Sequence, residues 1–198
     1  MINWGIIGCG NVTEVKSGPA FNKVKGSRLV AVMRRNSELA EDYARRHNVP
    51  KFYNNADDLI LDPDVNAVYI ATPPGSHAEY SIKALKAGKP VYVEKPMALN
   101  HRECQKIIKA SQKYKIPVFV AYYRRTLPGF LKVKEFINNG LIGKVRYVQI
   151  TFVVYPSEEE RSGETAVEGK PHHCRRRTFF DLAYTSSIIL IFGPDRGP

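Results

Sequence analysis

Cysteine is scarce in this chain. Its 198 residues hold three, Cys9, Cys104 and Cys174, widely spaced and with no Cys-x-x-Cys pair. An odd, scattered set argues against a disulfide framework and a structural zinc site, and points to a reducing, cytoplasmic compartment. His172 and His173 beside Cys174 have no further residues at ligand spacing, so no metal is expected. Long apolar runs are missing too. None approaches the roughly 20 residues that cross a bilayer, and the opening Met1-Ile2-Asn3-Trp4 lacks the basic stretch and cleavage site of a signal peptide. There is no internal repeat and no low-complexity linker.

Charge is lopsided, with a formal net +11. Residues 1–157 hold 24 Lys/Arg against 12 Asp/Glu, whereas residues 158–198 hold 6 against 7. The excess is spread over expected helix surfaces and turns (Lys23, Lys25, Arg45, Lys106, Lys109) without interleaved aromatics. It reads as a solvated basic surface that helps to attract an anionic cofactor, not as a nucleic-acid site.

Short β-branched runs alternate with amphipathic stretches, the rhythm of βαβ units and a parallel sheet. Strands are expected at 3–7, 28–33, 51–53, 65–72, 90–93 and 118–122, with the 65–72 run apolar enough to be buried on both faces. Helices are expected at about 37–47, from Ser76 to near Gly88, and from Asn100 to about Tyr114. The Ser76/Glu79 and Asn100/Glu103 spacings give the last two a capping box. This predicts an α/β fold, a doubly wound parallel-sheet Rossmann domain over 1–122. The rhythm then changes. A helix over 130–138 and a long alternating strand over 144–155 predict an incomplete second α/β domain over 123–198, with a mainly antiparallel sheet.

The first strand runs into Gly8-Cys9-Gly10 and then a helix beginning at Asn11 and Val12. Gly8 permits the tight turn, Gly10 removes a side chain that would block a diphosphate, and the helix start offers free N–H groups and a positive dipole end. Thr13 stands at the third glycine position of the G-x-G-x-x-G fingerprint, so the motif gains its weight from its placement in a βαβ unit. The second strand ends Met33-Arg34-Arg35-Asn36-Ser37 without the Asp or Glu that binds a ribose 2′-hydroxyl in NAD. Two guanidiniums there suit a 2′-phosphate, so NADP(H) is favoured over NAD(H). The alternative is a solvated turn with two arginines.

At Val91-Tyr92-Val93-Glu94-Lys95-Pro96 the chain resembles the Gfo/Idh/MocA oxidoreductases. Gly5 to Gly10, Ala71 to His77, Pro117 to Arg125 and Gly140 to Val145 continue the resemblance, which covers about residues 2–155. It implies an N-terminal Rossmann domain, a C-terminal α/β domain for substrate and subunit contacts, and hydride transfer between a nicotinamide and a sugar, cyclitol or related alcohol or ketone. It further implies that Lys95 is the catalytic lysine, held by Glu94, which also binds the cofactor. Thr72, Pro73 and His77 would line the cofactor cleft, and Arg124 would sit near the nicotinamide. Read without the family, Glu94-Lys95-Pro96 is a surface turn.

The tail departs from the pattern. Family members run on for well over a hundred residues, and their glycine-rich loop is replaced here by Cys174-Arg175-Arg176-Arg177. Phe179-Phe180-Asp181-Leu182 matches, but Thr185 occupies the position of the family's histidine. Shifted reading frames account for this, since glycine codons read out of frame become arginine codons; a genuine divergent tail is the competing reading. Disorder over 157–177, an activity weakened or lost, and a homo-oligomer or aggregation-prone chain are the expected consequences.

Overall fold

The computed structural model describes residues 1–147, and the chain divides into two compact units, Met1–Tyr122 and Tyr123–Pro198. The first unit runs β1 (Ile2–Ile7), a π-helical turn (Thr13–Ser17), α1 (Gly18–Lys23), β2 (Ser27–Met33), α2 (Ser37–Arg46), β3 (Lys51–Tyr53), α3 (Ala56–Leu61), β4 (Ala67–Ile70), α4 (His77–Lys86), β5 (Val91–Val93), α5 (His101–Tyr114) and β6 (Val118–Val120). The six strands form one sheet in the order β3-β2-β1-β4-β5-β6, all neighbours parallel. This is the doubly wound sheet that the sequence predicts, with its topological switch between β1 and β4.

Period-two alternation sends successive strand residues to opposite faces, where each meets a different set of helices. Ile7, Met33, Ile70 and Val93 pack with Leu59 of α3, Leu85 of α4 and Ile107 of α5. Ile6, Val32 and Tyr69 pack on the other face with Tyr43 of α2, Phe21 of α1 and Trp4. β4 is buried at all four positions, as its unbroken apolar run requires, but it is shorter than expected. Thr72 already belongs to the loop beyond it, because the ladder stops after Ala71 N donates to Ile7 O at 2.9 Å.

Capping follows side-chain chemistry at three helices. Asn36 Oδ1 accepts from Leu39 N (3.0 Å), Asn55 Oδ1 from Asp57 N (2.9 Å) and Asn100 Oδ1 from Glu103 N (3.0 Å). Glu103 Oε2 returns to accept from Leu99 N at 3.1 Å, closing a capping box displaced by one residue. The box expected from Ser76 and Glu79 does not form. Ser76 Oγ instead donates to Thr72 Oγ1 (2.8 Å), and Glu79 pairs with Lys83 (3.1 Å) one turn along α4. α3, six residues behind Asn55, is an element that the sequence reading omits.

A tether between the first helical segment and α2 predicts an acid sensitivity of the first unit. Glu14 receives Arg46 through two bonds of 2.7 and 2.9 Å and lies 2.7 Å from His47 Nε2. The Arg46 guanidinium, and after it His47, hold the Glu14 carboxyl down at about 2 from an ordinary 4.5. A carboxylate lowered by folding stabilises the native state fully above the ordinary value and loses that contribution as the pH falls toward 2. Urea midpoints at pH 6 and pH 3 should therefore differ less for Glu14→Gln than for the parent chain. An unchanged gap would show that this tether contributes nothing.

Of the second unit, the described part is a 3₁₀ turn (Tyr123–Thr126) and α6 (Pro128–Asn138), with Pro128 opening the helix and Gly140 (φ 67°) following its end. Among the described residues Lys144–Tyr147 carry no strand pairing, and the rest of the strand expected over 144–155 lies outside them. His172–Cys174, the stretch 157–177 and Thr185 lie outside them too. Among the described residues no helix is long and apolar enough to cross a membrane.

Candidate functional site

The strand register lines up one row of carboxyl ends: Tyr53, Met33, Ile7, Ile70, Val93 and Val120 are successive partners across the sheet. The residues that follow in each chain segment, Arg34, Gly8, Ala71 and Glu94 among them, therefore leave the sheet along a single edge. Adjacent strands lie about 4.8 Å apart, so the ends of β2 and β5 are separated by about 14 Å. A cleft of about 600 Å³ opens there, lined by Gly8, Cys9 and Gly10, by Arg34, Arg35 and Leu39, and by Thr72, Pro73, Ser76 and Tyr80.

The glycine turn is built for close approach. Gly8 has φ +94°, and a Cβ there would stand 2.7 Å from Thr72 Cγ2 and 2.9 Å from Thr72 N. Its amide and that of Cys9 donate to Met33 O (2.8 and 3.2 Å), which pins the turn to β2. At Gly10 a Cβ would meet nothing nearer than Gly8 O at 4.0 Å. The space in front of Gly10 is thus open, and the first helical amides, at Asn11 and Val12, have no preceding turn to donate to. Burial pushes the Cys9 thiol up to about 11, so it adds no negative charge to the turn.

Thr13, at the third glycine position, solves the packing differently from a glycine. It is wholly buried, and its hydroxyl donates to Gly10 O at 2.7 Å. Its carbonyl accepts from Tyr43 Oη at 2.9 Å and from Gly18 N, the bond that closes the π-helical turn. Tyr43 reaches this carbonyl because Gly18 has no side chain; a Cβ there would run into both Thr13 O and Tyr43 Oη. The close contact that the fingerprint's third glycine provides has moved five residues along.

Arg34 and Arg35 leave β2 on the cleft rim, both exposed, and neither side chain has an ion pair or hydrogen bond among the described residues. Asn36 is committed to capping α2, which leaves the amides of Ser37 and Glu38 in the helix's first turn without an intrahelical acceptor.

On the far side of the switch, Glu94 and Lys95 follow β5, and Lys95-Pro96 is a cis peptide. Glu94 Oε1 accepts from Tyr69 Oη at 2.6 Å and Oε2 from Lys95 N at 3.2 Å. Burial and the adjacent carboxylate raise the Tyr69 phenol, keeping it a donor. His77 is a correction. Expected on the cleft wall, it is wholly buried behind it, with Nε2 2.7 Å from Thr72 O and Nδ1 2.8 Å from Pro96 O. Arg124 falls in the second unit, in the 3₁₀ turn after Tyr122. Sequence reasoning did not single out Leu39, Tyr80 and Met33, which line the cleft from helix and strand positions that read as ordinary core.

Comparison with known proteins places this geometry. The model of the Gfo/Idh/MocA oxidoreductases, an oxidoreductase family with an NAD-binding Rossmann fold, matches residues 2–122. The chain belongs to this family. Oxidoreductase P35 of Formosa agariphila is 53% identical over 149 residues, covering 75% of this chain and 46% of that protein. The inositol 2-dehydrogenase of Gluconacetobacter diazotrophicus is 35% identical over 73% of this chain and 43% of its own length. Among solved structures, the Gfo/Idh/MocA chain superposes on KijD10, a 3-ketoreductase from Actinomadura kijaniata in complex with NADP and TDP-benzene. That match has a TM-score of 0.68 at 25% identity and covers 73% of this chain and 44% of the ketoreductase. The chain thus spans about half the length of the curated relatives it matches.

Proposed function

We propose that the cleft takes NADP(H) in preference to NAD(H), and that Lys95 serves hydride transfer to or from a sugar, cyclitol or related alcohol or ketone. The observation that carries the cofactor reading is the pair of guanidiniums, Arg34 and Arg35, unpartnered among the described residues, on the cleft rim where residues 34–37 offer no carboxylate. Arg34, Arg35 and the free amides at the start of α2 would hold a 2′-phosphate, which an acid at this position would repel. Gly10 and the amides of Asn11 and Val12 would face the diphosphate, with Thr72 and Pro73 as the opposite wall.

When bound, the nicotinamide supplies the hydride acceptor or donor. Lys95, beside Glu94 at the end of β5, would donate a hydrogen bond to the substrate oxygen as charge develops on it. Glu94, fixed by Tyr69 Oη and by the Lys95 amide, would orient that lysine. The inositol 2-dehydrogenase and 3-ketoreductase activities named for the two relatives support the substrate class. A second reading, binding without turnover, is favoured by one observation: Thr185 stands where the family resemblance places a histidine.

Two measurements separate these. Trp4 is the chain's one tryptophan and sits in the same domain as the cleft, so NADPH and NADH can each be titrated by energy transfer from it. NADPH should bind more tightly; equal affinities would remove the NADP(H) reading. A screen of sugars and cyclitols with the preferred cofactor should then show turnover that Lys95→Ala abolishes. Binding without turnover in that screen would support the second reading.

A further inference from the structure

The ladder between β4 and β5 ends at Ile70 and Val93, with one more bond from Glu94 N to Ile70 O at 2.9 Å. Beyond the bonds of their first residues, Ala71 N to Ile7 O and Glu94 N to Ile70 O, the two loops that form the proposed site, 71–76 and 94–98, are no longer held by strand pairing. His77, the first residue of α4, stands behind both. Its ring nitrogens lie 2.7 Å from Thr72 O in one loop and 2.8 Å from Pro96 O in the other, and the side chain is wholly buried. Either neutral tautomer donates to one of these oxygens, and the imidazolium donates to both. The ring is rigid, so it fixes a separation as well as supplying a bond. Thr72 lines the cleft and Pro96 directly follows Lys95, so one side chain reaches both walls of the site from behind.

We infer that His77 is a positioning residue, a brace that sets the cofactor-wall loop relative to the lysine loop. This rests on the reading of Thr72 and Lys95 given above. A carbonyl left without its buried donor, or a loop free to move by an ångström, misplaces Lys95 relative to the cofactor, and misplacement on that scale is costly in hydride transfer.

Three variants dissect the brace. Glutamine carries an amide nitrogen at about the reach of Nε2 and can keep the bond to Thr72 O; asparagine reaches about as far as Nδ1 and can keep Pro96 O; alanine keeps neither. Amide hydrogen exchange is measured on the cofactor-free chain. His77→Ala should accelerate exchange in both segments, 71–76 and 94–98, on the order of tenfold, the equivalent of one buried hydrogen bond. His77→Gln should accelerate only 94–98 and His77→Asn only 71–76, with β1 and β2 unchanged throughout. Uniform acceleration across the whole sheet in all three variants would show a merely structural histidine and overturn the brace. So would unchanged exchange in both loops of His77→Ala. NADPH titration of the same variants should show affinity kept by His77→Gln and lost by His77→Asn and His77→Ala. If the parent chain fails to take NADPH, the cofactor reading falls, while the exchange result still decides the brace.

Discussion

The double variant Arg34→Ala/Arg35→Ala should lose NADPH affinity by on the order of a hundredfold or more while NADH affinity stays within about twofold. A charge-assisted hydrogen bond to an ionised group contributes about 1.5–3 kcal/mol, so two guanidiniums on one phosphate reach this loss even at the low end. NADH presents a hydroxyl at that position and loses little. Both arginines are exposed and unpaired among the described residues, so the variant's thermal midpoint should match the parent's. Raising the salt from 50 to 500 mM should also narrow the NADPH advantage of the parent chain, because an exposed ion pair is screened. Titration of both cofactors against both proteins is the measurement. An equal loss for NADPH and NADH would instead place the arginines on a group common to the two, the diphosphate, and end the specificity assignment.

The two glycines of the phosphate turn should fail in opposite ways. Gly8→Ala should destabilise the first unit by about 3 kcal/mol, combining the strain of a side chain at positive φ with overpacking. The added Cβ would meet the Thr72 amide and the Ala71 carbonyl carbon, at 2.9 and 3.0 Å, and this backbone cannot swing aside. Gly10→Val should leave stability within about 0.5 kcal/mol, as at an unencumbered surface position. It should nonetheless abolish binding of both cofactors, because the branched side chain fills the space that Gly10 leaves open. Urea unfolding and cofactor titration on both variants test the pair. A stable Gly8→Ala, or a Gly10→Val that still takes NADPH, would contradict the geometry described for this turn.

Much of this arrangement was legible in the residues before any coordinates. The strands declared themselves through β-branched runs, and Asn100 with Glu103 marked the start of α5; the cap that Asn36 gives α2 emerged only in the structure. The missing acid after Met33 is what the proposed preference for NADP(H) is read from. What stayed hidden depended on neighbours distant in sequence. The Ser76–Glu79 spacing fits a capping box, yet the Ser76 hydroxyl turns to Thr72, which the end of β4 delivers to it. Thr13 looks like a broken fingerprint until Tyr43, thirty residues on, is seen bonded to its carbonyl past Gly18. His77 follows a Pro-Pro-Gly turn and reads as a wall residue; that it faces Pro96 follows from β5 lying beside β4, a fact of topology. α3 is too short, at six residues, to develop a helical period.

The row of strand ends carries an evolutionary consequence. The residues proposed to choose the cofactor follow β2 and the lysine follows β5, two segments with β1 and β4 between them in the sheet. Mutations that rewrite the preference for one dinucleotide over another can therefore accumulate at one end of the row without disturbing the groups at the other. Each trait can drift, be selected or be engineered on its own, and the parallel sheet is the rail that keeps the two in alignment while they change.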